Sequence, residues 1–192
     1  MLIITGNPGV GKNTIAKIVA KHLSLNLIDI NSIALKNRAK KSKGSSGYVV
    51  DMRKLSSLLR KYVDKKNLMI GHLAPYVLQR SDVCMAAVIR RSPYELKNVY
   101  KQRGYSAQKA VDNLSSEIIG VCMYDTIKKF GKNKVAEFDN TAVKPKATAY
   151  KIISAFKGKS KYSFGKIDWL SLIVANNDTQ KFFEYKMKVP LK

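Results

Sequence analysis

The sequence predicts an α/β fold: one parallel sheet of five strands, with helices on both faces. Short apolar runs alternate with stretches of helical periodicity along the chain, the pattern of strands crossed over by helices. The first apolar run stops at a glycine-rich turn that opens a helix. The 192 residues, 45% of them hydrophobic, suffice for one compact domain with a modest appendage.

The elements follow in order. "MLIIT" (1–5) reads as a buried strand. From Lys12 to Leu23, residues Ile15, Ile18, Val19 and Leu23 recur at helical spacing. "LNLIDI" (25–30) is the second strand. "NSIALKNRAKKSKGSSG" (31–47) begins helical and then turns into a basic, Gly/Ser-rich loop. Asp51 caps a helix expected to run to Asp64, with Leu55, Leu58, Leu59 and Val63 on its apolar face. "NLMIG" (67–71) is the third strand. "DVCMAAVI" (82–89) is the fourth, apolar as buried parallel strands are. Pro93 starts a helix at its first position. One long helix is expected over Ala107–Phe130, a fifth strand over "KVAEF" (134–138), and a final helix over Pro145–Phe156. No internal repeat is present. Beyond Phe156 the chain turns basic and aromatic, and no acidic residue occurs from Asn140 to Ile167. The boundaries predicted are a domain over 1–156 and a basic C-terminal extension over 157–192. The extension is expected to pack through Trp169, Leu170 and Leu172 and to end in a mobile tail.

Charge is the unusual property. Lys and Arg number 36 against 13 acidic residues, a formal net charge of +23. Such a field attracts polyanions, and nucleic acid is the first candidate, because phosphate contacts dominate that affinity. No stretch approaches the roughly 18 apolar residues of a membrane span, so no membrane association is expected. The N-terminus lacks a basic region and a small-residue cleavage site, so no signal peptide is expected. Cys84 and Cys122 form neither a CxxC pair nor a disulfide framework. They read as two buried thiols in a reducing cytosol.

"GNPGVGKNT" (6–14) carries the chemistry. Gly6, Gly11 and Lys12 have the spacing of a phosphate-binding loop between a strand and a helix. Glycines let backbone N–H groups turn inward around phosphates, and the helix N-terminus adds partial positive charge. Lys12 reaches the terminal phosphates as a point charge. The next residue supplies a magnesium ligand through its hydroxyl in this motif, and here it is Asn13. An amide oxygen also suits a hard cation, and Thr14 follows directly. The strand that should bring a carboxylate ends "LMIGH". Ile70 stands where an acid would help, and His72 is the polar group there. His72 could orient a phosphate or a water; equally it could be a hydrogen-bonded imidazole at a strand end.

"ITGNPGVGKNT", "YVVDMRKL", "GHLAPYVL", "AAVIRRSPYEL", "QRGYSAQKAVDNLSSEI" and "GKIDWL" occur in order across nearly the whole chain. Together they resemble the archaeal and eukaryotic nuclear-type adenylate kinase family, the isoenzyme-six type. The resemblance implies a P-loop NTPase fold of the adenylate-kinase kind. It implies a nucleoside-monophosphate (NMP) arm over about 31–51 and a small lid over about 102–112. It implies ATP, AMP and magnesium as cofactors and substrates, with ATP/AMP phosphotransfer and ATP hydrolysis. It also implies a role in small ribosomal subunit maturation, with a platform ribosomal protein and precursor small-subunit rRNA as partners. The protein is expected to be cytoplasmic and monomeric when free.

Carried over residue by residue, Lys12, Arg103 and His72 form the catalytic set. Gly9, Val10, Gly11, Lys12, Asn13, Thr14, Arg103 and Lys144 would hold ATP. Lys36, Arg38 and Arg90 would hold the monophosphate, and Asn13 and Thr14 the metal. Three positions depart from the family: Asn13 replaces Thr, Ile70 an acid, and Leu35 an arginine. "KNRAKKSK" (36–43) carries five positive charges and reads either as a solvated loop or as a phosphate or RNA contact. Lys40, Lys41, Lys43, Lys157, Lys159 and Lys161 are the candidate RNA contacts. The tail interleaves such lysines with Tyr162, Phe164 and Trp169, and Trp169 is expected to pack on the core. Two alternatives stay open: an RNA-binding assembly factor with a vestigial nucleotide site, and a metabolic nucleotide kinase whose charge is incidental.

Overall fold

The computed structural model describes residues 1–37, 39–44 and 47–183; for 40–44, 47 and 48 it describes the backbone alone. Five parallel strands form the sheet: β1 (Leu2–Thr5), β2 (Asn26–Asp29), β5 (Asn67–Ile70), β6 (Met85–Arg90) and β7 (Val135–Asp139), in the order β2-β5-β1-β6-β7. β1 lies between β5 and β6, so its C-terminal end opens where the connections diverge to the two sides. Ligands bind at such a point in open α/β sheets.

Alternation along β1 builds the two cores. Leu2 and Ile4 face one cluster with Ile15 and Val19 of α1 (Lys12–Leu23) and Ile152 of α8 (Pro145–Phe156). Ile3 faces the other, with Ile33 of α2 (Ile30–Lys36), Leu55 of α3 (Met52–Leu59), Val77 of α4 (Ala74–Val77) and Phe130 of α7 (Val121–Phe130). The inner strands β5, β1 and β6 are thus covered on both sides, which is why their sequences are nearly continuously apolar, whereas the edge strand β2 is only partly buried.

Three element readings need correction. The Gly/Ser-rich segment forms an antiparallel hairpin, β3 (Lys40–Gly44) and β4 (Gly47–Val50). The long helix is two, α6 (Ala107–Ile118) and α7, broken where Gly120 turns to φ 70°. The Asp51-capped helix stops at Leu59, and the chain tightens into a 3-10 turn over Arg60–Tyr62. Arg38 and the tail beyond residue 183 lie outside the described residues.

The segment after α8 returns to the core. It forms α9 (Trp169–Ala175) and α10 (Thr179–Phe183), and Ile173 and Phe182 join the α1–α8 side of the core. Trp169 is buried as expected, whereas Leu170 and Leu172 are exposed. A helix this short buries one stripe only, and Trp169 and Ile173, four residues apart, occupy it. Cys122 is buried, but Cys84 is exposed, because it lies just before β6 enters the sheet.

Candidate active site

The loop after β1 holds its shape through close approaches that leave no room for a side chain. A Cβ on Gly6, at φ 139°, would sit 2.4 Å from the Ile89 backbone oxygen. A Cβ on Gly11, at φ 94°, would meet Asn140 Nδ2 at 2.6 Å. That amide instead donates to Val10 O at 3.0 Å, and its own Oδ1 accepts from Thr148 Oγ1 at 2.8 Å. On the other side, Tyr100 OH of α5 (Pro93–Gln102) donates to Pro8 O at 2.6 Å. Helices α5 and α8 therefore grip the loop from outside the nucleotide path.

A cleft of about 740 Å³ opens over this loop. Gly9, Gly11, Lys12, Asn13 and Thr14 form its floor. The arm contributes Asn31, Ala34, Leu35, Val49 and Met52, and the end of β5 contributes His72 and Leu73. Arg103, Tyr105, Lys109 and Asn113 close it from the lid side. Tyr105 stacks on Tyr100 at 5.1 Å, and the Lys109 ammonium lies 4.2 Å from the Tyr105 ring centre. The connection between α5 and α6 is thereby seated on the residue that holds Pro8.

The described lining contains Lys12, Arg103 and Lys109, and no aspartate or glutamate. Lys12 is buried, and Nζ donates to Asn7 O at 3.0 Å. Burial, with the nearby Arg103 charge, lowers its pKa from 10.5 to about 8. His72 is pushed down to about 4, first by burial and then by the Lys12 charge. It is therefore a neutral imidazole at neutral pH, able to donate through one nitrogen and accept through the other. Asp29 lies at the end of β2 in register with Ile70. Its Oδ1 accepts from the backbone N–H groups of Asn31 and Ser32, so it caps α2.

Magnesium has candidate oxygen donors in Asn13 and Thr14, both exposed in the cleft. Among the described residues no group of three carboxylate, thiol or imidazole side chains could enclose a metal. The donors fit an ion that keeps several waters and arrives on nucleotide phosphates.

Of the residues expected to act, Lys12, Asn13, Thr14, Gly9, Gly11, His72 and Arg103 meet in the cleft. Val10 is buried behind the loop. Lys36 and Lys144 are exposed and do not line the cleft. Arg90 must be corrected. It is 3% exposed, and its guanidinium bonds Glu117 Oε1 at 2.7 Å, Glu117 O at 2.7 Å and Glu137 Oε1 at 2.8 Å. Two buried carboxylates consume the charge that a monophosphate would need. The side chains of Arg38, Lys40, Lys41 and Lys43 lie outside the described residues, while Lys157, Lys159 and Lys161 are exposed. Sequence reasoning missed the loop-holding roles of Asn7 and Asn140 and the cleft positions of Tyr105 and Lys109. Asn140, between a strand and a Pro-started helix, carries a recognisable signal, and so do Tyr105 and Lys109, which lie within the quoted "QRGYSAQKAVDNLSSEI" block.

The AAA domain family pattern matches residues 2–120. A Methanocaldococcus jannaschii protein named "Putative adenylate kinase" is 31% identical over 188 residues, spanning 96% of this chain and 96% of its own length. A Saccharolobus solfataricus protein of the same name is 28% identical over 191 residues, covering 98% and 95%. Among solved structures, shikimate kinase from Bacteroides thetaiotaomicron superposes with a TM-score of 0.56 at 14% identity, covering 81% of this chain and 97% of its own. A gluconokinase from Sinorhizobium meliloti gives 0.51 at 11% identity, covering 83% and 97%. These two share the fold.

Proposed function

We propose that this chain, which belongs to the AAA domain family and to the adenylate-kinase-like family of its archaeal relatives, transfers the terminal phosphoryl group of ATP to AMP and hydrolyses ATP slowly without it. The observation that carries this reading is the cleft's lack of a carboxylate among its described lining residues. A hydroxyl acceptor needs a general base within hydrogen-bond reach. A phosphate acceptor is already ionised near neutral pH, since its second pKa is about 6. Positioning and charge stabilisation are then all that the protein must supply.

The residues divide that work. The loop's backbone N–H groups and Lys12 hold the terminal phosphates. Arg103 and Lys109, on the lid side, spread the charge of the transferring group. Neutral His72 orients a phosphate oxygen or an attacking water. Ala34, Leu35, Val49 and Met52 give the acceptor side an apolar wall, which would exclude water once nucleotide fills the cleft. Magnesium, carried in with ATP and touched by Asn13 and Thr14, would neutralise phosphate charge.

The test measures ADP formed from ATP and magnesium, with and without AMP, using Lys12→Ala as control. AMP-stimulated ADP that vanishes in the control is expected. Turnover independent of AMP would reduce the protein to an ATPase, and turnover no greater than the control would leave a binding cradle.

A second element of the proposal rests on charge. Lys157, Lys159 and Lys161 are exposed on the segment between α8 and α9, in a chain of net charge +23. They suit RNA phosphates, and we assign the protein to small ribosomal subunit assembly, with precursor rRNA and a platform ribosomal protein as partners. Two unpaired cysteines, one of them exposed, fit the reducing cytoplasm, where the free protein would be monomeric. Replacing the three lysines by alanine should weaken RNA binding and lower the salt slope by about 3. Unchanged affinity would move the contact to the 36–43 arm.

A further inference from the structure

Glu117 on α6 is fully buried, and its carboxylate accepts hydrogen bonds from four residues. Oε2 accepts from Asn7 Nδ2 at 2.7 Å. Oε1 accepts from Arg90 Nε at 2.7 Å, Arg91 N at 3.2 Å and Trp169 Nε1 at 3.2 Å. Asn7 belongs to the phosphate loop. Its Oδ1 accepts from Ser116 Oγ at 3.3 Å, and its backbone oxygen accepts from Lys12 Nζ. Helix α6 therefore pins the start of the loop through one amide.

The charges in this cluster do not balance among themselves. Arg90 pairs with both Glu117 and Glu137, one guanidinium against two buried carboxylates. Neutral N–H groups must satisfy the remainder. The C-terminal segment supplies them. Gly165 N and Lys166 N donate to Glu137 Oε2 at 2.9 and 3.2 Å, and Trp169 Nε1 donates to Glu117. Burial already favours the protonated form of Glu117, so each lost donor weakens the carboxylate that holds Asn7.

We propose that Glu117 is a positioning residue of the phosphate loop and that Trp169, docked on the same carboxylate, sets ATP affinity without touching the nucleotide. This rests on ATP being the ligand of the cleft. The Trp169 N–H is then coupled to the loop through two hydrogen bonds, its own to Glu117 and that of Asn7 to the same carboxylate.

The full-length chain tests this by calorimetric titration with a non-hydrolysable ATP analogue. Trp169→Phe keeps an aromatic ring but removes the indole N–H and part of its buried volume, so a second variant measures the packing loss alone. Trp169→Phe should bind the analogue about tenfold more weakly, while the turnover number at saturating ATP changes less than about twofold. Ile173→Ala loosens the same helix without reaching Glu117. It should lower the melting temperature and leave analogue affinity within about twofold of the parent. Parent-like affinity in Trp169→Phe overturns the proposal, as does an equal loss in Ile173→Ala, which would reduce the effect to helix packing. The deciding readout is analogue affinity, which needs no turnover, so a failure of phosphotransfer to AMP leaves this test intact.

Discussion

Lys12 Nζ donates to the backbone oxygen of Asn7 at 3.0 Å, and both residues are buried. ATP would offer this ammonium charged oxygens in place of a neutral carbonyl. Burial has lowered its pKa to about 8, below the 10.5 of an exposed lysine. Between those values the folded chain holds Lys12 neutral while the unfolded chain keeps the proton. Stability from this group therefore rises with pH across that window, and the cost of burying the charge is full below it. Phosphate binding has the opposite trend. The ATP dissociation constant should rise severalfold from about pH 7 to about pH 9. A flat profile would show that Lys12 stays charged.

His72 is the acid-side counterpart. Its pKa of about 4 lies below the ordinary 6.5, so the fold prefers the neutral ring. Its stabilising contribution is complete above 6.5 and is lost as pH falls toward 4. Replacement by Asn should flatten the melting temperature against pH across that range, recovering about 3 kcal/mol at the acid end. An acid limb that survives the replacement would assign it to other groups.

Arg90 separates a structural from a binding role. Removing one partner of a buried ion pair costs about 3–5 kcal/mol. Arg90→Ala leaves Glu117 and Glu137 facing one another without their shared cation. A loss of that size is expected in chemical denaturation. Parent-like stability with a raised KM for AMP would return Arg90 to the monophosphate site.

Asn13 is exposed in the cleft beside Thr14. Asn13→Thr supplies the hydroxyl that the phosphate-loop motif uses for magnesium. Magnesium-dependent ADP formation should rise about tenfold. An unchanged rate would mean that the amide oxygen serves as well.

The helix over Lys12–Leu23 was legible to the residue, because a glycine opens it and apolar residues recur along it. The arm hairpin was not. Its first strand is polar and lysine-rich, and the stretch from Gly44 to Gly47 looks equally like a flexible loop from sequence. The break at Gly120 was hidden because apolar residues continue through Ile118, Cys122 and Met123. Local periodicity does not register one left-handed residue.

The five-strand alternation, the phosphate loop and the basic surplus are legible along the chain, since each is written in neighbouring residues. The role of Arg90 emerges with the packing. Its partners Glu117 and Glu137 lie 27 and 47 residues away, and Asn7 reaches Glu117 across 110. Parallel strands joined by crossover helices bring such distant positions to one buried spot. Once water is excluded there, unpaired charges are too costly to leave. An arginine that the family resemblance assigns to the monophosphate becomes, in the fold, the counter-ion of two carboxylates.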